Sequence, residues 1–188
     1  MNIKKAVAGI SSLAMLASSV PALNNQGISA KAETSKYNYA EALQKSMFFY
    51  EAQQAGELPD WNEVSWRADS MLKEDGTSSD VVPGGWFDAG DHLKFSLTNA
   101  YTASVLSWGL MQYGDAVKKA GLYDTYLKNL KWGLDFVQAC DLGDSVIGTI
   151  GDDAFDHVWY GSPEVYMRKY NLKQGTEDRP YDTITCVT

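Results

Sequence analysis

Three stretches of this 188-residue chain carry apolar residues at helical spacing along one side only, and that pattern limits the folds open to it. The first begins at Asn38-Tyr39-Ala40-Glu41, which has the form of a capping box. Behind it Ala40, Leu43, Met47 and Tyr50 or Phe48 recur at helical spacing, until Gly56 and Pro59 end the element. A second helix is predicted from about Thr98 to Tyr113, with Ala100, Ala103, Leu106, Leu110 and Tyr113 along one side. A third is predicted from Tyr123 to Cys140, striped by Tyr126, Leu130, Leu134 and Val137. Gly109 and Gly133 interrupt these two, a cost that close helix packing would explain. A helix with one apolar stripe must bury it against a neighbour, so the chain reads as helix packed on helix.

Between the first two helices, residues 58–95 show no sustained period. Long loops inside compact domains are functional or disordered, and Trp61, Trp66 and Trp86 argue against disorder here. Residues 141–188 are similar, with Val146-Ile147-Gly148-Thr149-Ile150 suggesting a short hairpin.

Residues 1–32 stand apart. Lys4-Lys5 forms a basic start, Ala6–Val20 is an apolar run too short for a bilayer, and small residues follow. This reads as a secretory signal peptide cut after Ala32, with Ala22 the alternative, so the remainder would be secreted and extracellular. Every Trp, Tyr and Phe lies beyond it. The leader holds three Lys and no acid, so what remains is more acidic than the −8 of the whole chain. An acidic surface argues against nucleic acid as a partner, nothing else is apolar enough for a membrane span, and two Cys cannot make a disulfide scaffold. Cys140 closes an apolar stripe and reads as a buried free thiol rather than half of a bridge to Cys186.

Three clusters could carry chemistry. Gly84-Gly85-Trp86-Phe87-Asp88-Ala89-Gly90-Asp91-His92 puts two carboxylates three residues apart among glycines that permit a sharp turn with positive φ. A converging pair could hold and deprotonate a water. An Asp cap on the following helix is the plainer reading, and the spacing does not match a calcium loop. Asp152, Asp153, Asp156 and His157, followed by Trp159 and Tyr160, fit a sugar subsite, a metal site or a structural loop equally. Arg67 and Asp69 beside Trp66 read as a structural ion pair or backbone clamp. The chain has no Gly-rich phosphate loop, no CxxC and no GxSxG.

Taken in order, Trp66-Arg67-x-Asp69-Ser70, Gly84 through Phe95, Leu106-Ser107-Trp108, Gly151-Asp152, Asp156-His157-x-Trp159-Tyr160-Gly161 and Pro163-Glu164 resemble glycoside hydrolase family 9. That family comprises inverting cellulases built on an (α/α)6 barrel. The resemblance implies an all-α fold, here an incomplete (α/α)6 barrel with long functional loops, over residues 33–188. It implies an endo-β-1,4-glucanase acting on cellulose or a related β-glucan. Asp91 would be the general base on water and Asp88 would help hold that water. His157, Trp159 and Tyr160 would line sugar subsites. No metal site is implied within this chain, although the family allows calcium in the full-length domain, and a following dockerin would add a cellulosome scaffold as partner. Family domains are much longer, and their general-acid Glu lies near the C-terminal end. No Glu here stands in that context, and Glu164 follows a different family motif. The chain is therefore expected to be an N-terminal piece, inactive and partly molten alone. A non-catalytic carbohydrate-binding module, or a calcium-dependent structural domain on Asp152, Asp153 and Asp156, are the competing readings.

Overall fold

A computed structural model describes residues 36–169 and 176–185; the leader, Cys186 and the last two residues fall outside them. Helix α1 (Tyr39–Ala52) opens with the expected cap. The Asn38 side-chain oxygen accepts from the Glu41 backbone N–H, while the Asn38 amide donates to the Glu41 carboxylate. The Glu thus reaches back to the cap side chain rather than to its backbone.

Strand β1 (Lys94–Phe95) leads into helix α2 (Ser96–Ala120). This helix runs past Gly114, where the sequence suggested an end, because an isolated helical Gly costs only about 1 kcal/mol. It stops at Gly121, whose φ of 74° and N–H bonds to Val117 and Lys118 carbonyls form a left-handed cap. Helix α3 (Tyr123–Ala139) folds back on α2. Their shared core holds Met47, Trp86, Ala103, Leu106, Val117, Tyr126 and Leu130. Tyr126 donates its hydroxyl to the Leu106 carbonyl at 2.9 Å, an approach that Gly109 permits, since a Cβ there would sit 2.8 Å from that oxygen. Of the expected stripes, Tyr113 and Leu134 are exposed, and Asn99, Asn129 and Phe136 are buried in their place.

The chain is not wholly helical. Strand β2 (Ser145–Ile150) is the centre of a three-stranded antiparallel sheet between β1 and β3 (Tyr181–Thr185). Lys94 pairs with Ile150 and Ile184 with Val146, with a bulge between Ile147 and Thr149. The apolar run starts at a tight turn, where Val146 bridges antiparallel to Asp141 and the Leu142 N–H bonds to the Ser145 carbonyl, but its strand partners β1 and β3 come from far along the chain on either side. Ile147 and Ile150 pack on Val82, Phe136 and Cys140, joining the sheet to α3. Short helices α4 (Asp153–Asp156) and α5 (Tyr166–Lys169), with a 3-10 turn at Pro163–Val165, complete the described elements.

Helix α2 carries a second apolar stripe, Leu97, Tyr101, Val105, Trp108 and Met111, that faces solvent. Its Trp108 and Met111, with Leu134 and Val137, border a groove of about 420 Å³. A helix ordinarily buries such a stripe against a neighbouring element. No helix among the described residues is long and apolar enough to cross a membrane.

Candidate active-site cleft

The glycine loop is built by bonds from three directions. Gly84 and Gly85 take φ values of 78° and 73°, which turn the chain sharply ahead of Trp86. Asn99, one turn into α2, accepts from the Trp86 N–H and donates to the Trp86 and Phe95 carbonyls. Gly85 and Phe87 bond to Ala55 and Gln53, at the end of α1. The Asp88 N–H then bonds to the Leu93 carbonyl and the Asp91 N–H to the Asp88 carbonyl, closing a tight loop around the two carboxylates. The residue with positive φ inside that loop is Ala89, at 24°, and not Gly90. A side chain held there signals local strain that the surrounding bonds must hold, and Gln53, at the C-cap of α1, donates to the Ala89 carbonyl.

Asp91 is fixed at both oxygens. One accepts from the Leu93 N–H at 2.9 Å; the other lies 3.0 Å from His157 Nε2. A carboxylate can only accept, so Nε2 is the protonated ring nitrogen. The Asp91 side chain is 17% exposed and that of His157 58%, so the pair sits at the mouth of a cleft. Asp88, Asp91, His157, Asp152, Asp153 and the start of β3 line this cleft of about 570 Å³. Asp88, Asp91 and His157 thus meet in one space.

Trp159 and Tyr160 do not line it. Trp159 is partly buried on Phe87, Tyr166 and Met167, with its ring against Gly161 and the Lys169 ammonium above it. Tyr160 is 93% exposed, and its hydroxyl leans toward Gly90 at the rim of the Asp88–Asp91 turn.

The three Asp of the second cluster do not converge. Asp152 caps α4 through the Ala154 N–H, and Asp156 is buried against Arg179 and Tyr166. Among the described residues no group of three His, Cys, Asp or Glu could hold a metal ion. Asp156 is matched by the buried Arg179, so it is not available to share a cation with Asp152 and Asp153. Arg67 is the backbone clamp foreseen: it donates to the Ala52 and Gln54 carbonyls and pairs with Glu164 at 2.7 Å, while Asp69 accepts from Leu58. Glu164 is thereby committed to structure. Cys140 is a free, buried thiol whose pKa burial pushes up to about 11.

Beneath the cleft lies a buried ionic network that local pattern did not disclose. Lys94 Nζ donates to the Val82 and Gly84 carbonyls and pairs with Asp80 at 2.8 Å. Asp80 also pairs with Arg179, which reaches Asp156 and the His92 carbonyl. Burial works against the charge on Asp80, but Lys94 and Arg179 outweigh it and hold the carboxyl below its ordinary range. His92 is buried between Phe87 and Tyr166, with Nε2 on the Gly161 carbonyl. Burial, then the nearby Arg179 charge, lowers its pKa.

Fold and cleft together define a helical scaffold presenting a carboxylate pair and an imidazole on loops. The model for glycosyl hydrolase family 9 matches residues 39–186, and the chain belongs to that family. Endoglucanase A of Bacillus pumilus is 44% identical over 141 residues, 74% of this chain and 21% of that protein. The structure of endoglucanase CelQ from Clostridium thermocellum complexed with cellotetraose superposes with a TM-score of 0.69 at 49% identity, covering 79% of this chain and 23% of that one. An endoglucanase from the termite Nasutitermes takasagoensis gives a TM-score of 0.67 at 35% identity, covering 80% and 33%. The chain thus spans about a fifth to a third of the length of these relatives.

Proposed function

We propose that this chain is the base-bearing part of a secreted endo-β-1,4-glucanase that hydrolyses cellulose or a related β-glucan with inversion. The observation that carries the proposal is the convergence of Asp88, Asp91 and His157 on one open cleft. Inversion uses a carboxylate to deprotonate water on one face of the sugar and a carboxylic acid to protonate the leaving oxygen on the other, roughly 6.5–9.5 Å away. Asp91 suits the first task. Its carboxylate is oriented by the Leu93 N–H and His157, and the cleft gives water access to it. Asp88 shares the cleft and holds the same water. His157, at the mouth, offers its ring to a sugar hydroxyl, and Tyr160 at the rim offers an exposed face for stacking. Trp159 contributes by holding the loop beneath Tyr160.

No Glu lines the cleft among the described residues. The general acid is proposed to come from the barrel length that the relatives have and this chain does not. The acidic charge is compatible with a neutral polysaccharide, whose binding rests on stacking and hydroxyl hydrogen bonds. The test is proton NMR of cello-oligosaccharide hydrolysis by the full-length protein. Inversion predicts that the α-anomer appears first at the new reducing end. The β-anomer first, or no cleavage of carboxymethylcellulose, overturns the proposal.

A further inference from the structure

The reading of Asp91 as base leaves open what fixes its distance from His157. The two residues lie on different loops, 66 positions apart in sequence. The buried Arg179 side chain spans both loops. Arg179 Nη2 donates to the carbonyl of His92, the residue after Asp91, at 2.5 Å. The same nitrogen lies 3.3 Å from the carboxylate of Asp156, the residue before His157. Nη1 pairs with Asp80 at 3.0 Å, and the guanidinium lies over the Tyr166 ring, so it cannot swing. Asp156 is locked in turn by the Asp152 N–H and the Tyr166 hydroxyl. The Arg179 backbone is tied to Ser79, and the Pro180 carbonyl to Gly151.

We propose that Arg179 is a positioning residue for the Asp91–His157 pair, clamping the base loop to the His157 turn through one guanidinium. The proposal rests on the general-base reading of Asp91. A planar fork serves three acceptors at fixed angles; an ammonium on a flexible stem cannot reach all three at once. Arg179→Lys therefore keeps the buried charge and loses the clamp. Lys94 belongs to the same ionic network but touches neither His92 nor Asp156, so burial of charge alone does not confer the role.

The experiment compares Arg179→Lys with Tyr126→Phe, which weakens the distant α2–α3 contact. In the full-length protein, Arg179→Lys is expected to lower kcat on a soluble cello-oligosaccharide roughly 10- to 100-fold, the range for small misplacement of a catalytic group. Most of the loss falls in kcat rather than KM, and Tyr126→Phe keeps kcat while lowering Tm. A crystal structure of Arg179→Lys is expected to show the Asp91–His157 contact opened beyond its 3.0 Å. An unchanged contact, or kcat within about twofold of wild type, overturns the proposal. If the wild-type protein cleaves no β-glucan, the function proposed above fails, and the crystallographic distance still decides the role of Arg179. Asp156→Asn tests the other end of the clamp, and failure of both variants to fold makes Arg179 a folding residue only, which also overturns it.

Discussion

Adding one methyl group at Gly133 tests how tightly the glycine loop is held against the helices. Gly133 lies mid-helix in α3, where Ala is preferred over Gly by about 1 kcal/mol. A Cβ there would lie 2.2 Å and 2.3 Å from two ring carbons of Trp86. That ring cannot retreat cheaply. It is buried, leans on Tyr50 at 5.4 Å between centroids, and its backbone is grasped by Asn99. Overpacking costs about 1–3 kcal/mol, and contacts this short put Gly133→Ala in the upper part of that range, about 2–3 kcal/mol, so after the propensity gain of about 1 kcal/mol the net loss is about 1–2 kcal/mol. For a chain of this size that lowers Tm by about 2–8 °C. Gly114, mid-helix in α2, has nothing within 4 Å of the same added atom. Gly114→Ala should therefore raise Tm by about 2–4 °C, the propensity gain alone. Thermal melts followed by far-UV circular dichroism on both variants measure the contrast. Equal stabilisation by the two substitutions would refute the packing of Trp86 on α3.

Three other outcomes follow from what is buried and what is exposed. The His92 pKa is held below its ordinary 6.5, so the unfolded chain takes up a proton that the folded chain refuses. Stability is full above about pH 6.5 and falls as the pH drops beneath it; His92→Gln, which keeps a donor for the Gly161 carbonyl, should flatten that part of a Tm-versus-pH curve. Cys140, with its pKa raised to about 11, should resist Ellman's reagent at pH 8 in a Cys186→Ser background and react after denaturation. The solvent-facing stripe on α2 should bind the dye ANS, and Trp108→Ser with Met111→Lys should reduce its fluorescence without changing helix content.

What the sequence disclosed and what it hid divide by range. The Asn38 cap, the α2–α3 hairpin and the buried Cys140 rest on neighbours within a turn or two, and their patterns were legible. The packing role of Gly109 and Gly133 was also legible, because an internal Gly in a striped helix has little other reason to stand there. The sheet was not, since β1 and β3 reach β2 across long stretches of loop, and β1 has only two residues. Nor was the buried network: Asp80 meets Arg179 at a separation of 99 residues, and both sit in segments without period. In the site, Asp88, Asp91 and His157 were marked by their composition and motif, whereas their arrangement depends on Asn99 and Arg179, which no short pattern singles out, and on Lys94, whose motif gave no hint of a buried ion pair. The glycines permit a positive-φ turn, and Gly84 and Gly85 make one, but inside the Asp88–Asp91 loop the positive φ falls on Ala89, a backbone detail that residue type alone does not dictate.

The proposed hydrolysis requires Asp91 as the proton acceptor. Asp91→Asn preserves the side chain's shape and an acceptor for the Leu93 N–H but cannot take a proton from water. Turnover of a soluble cello-oligosaccharide by the full-length protein should fall about 10²- to 10⁴-fold, with affinity for the same ligand retained by calorimetry. Turnover by the variant within about twofold of wild type would contradict the assignment of the base.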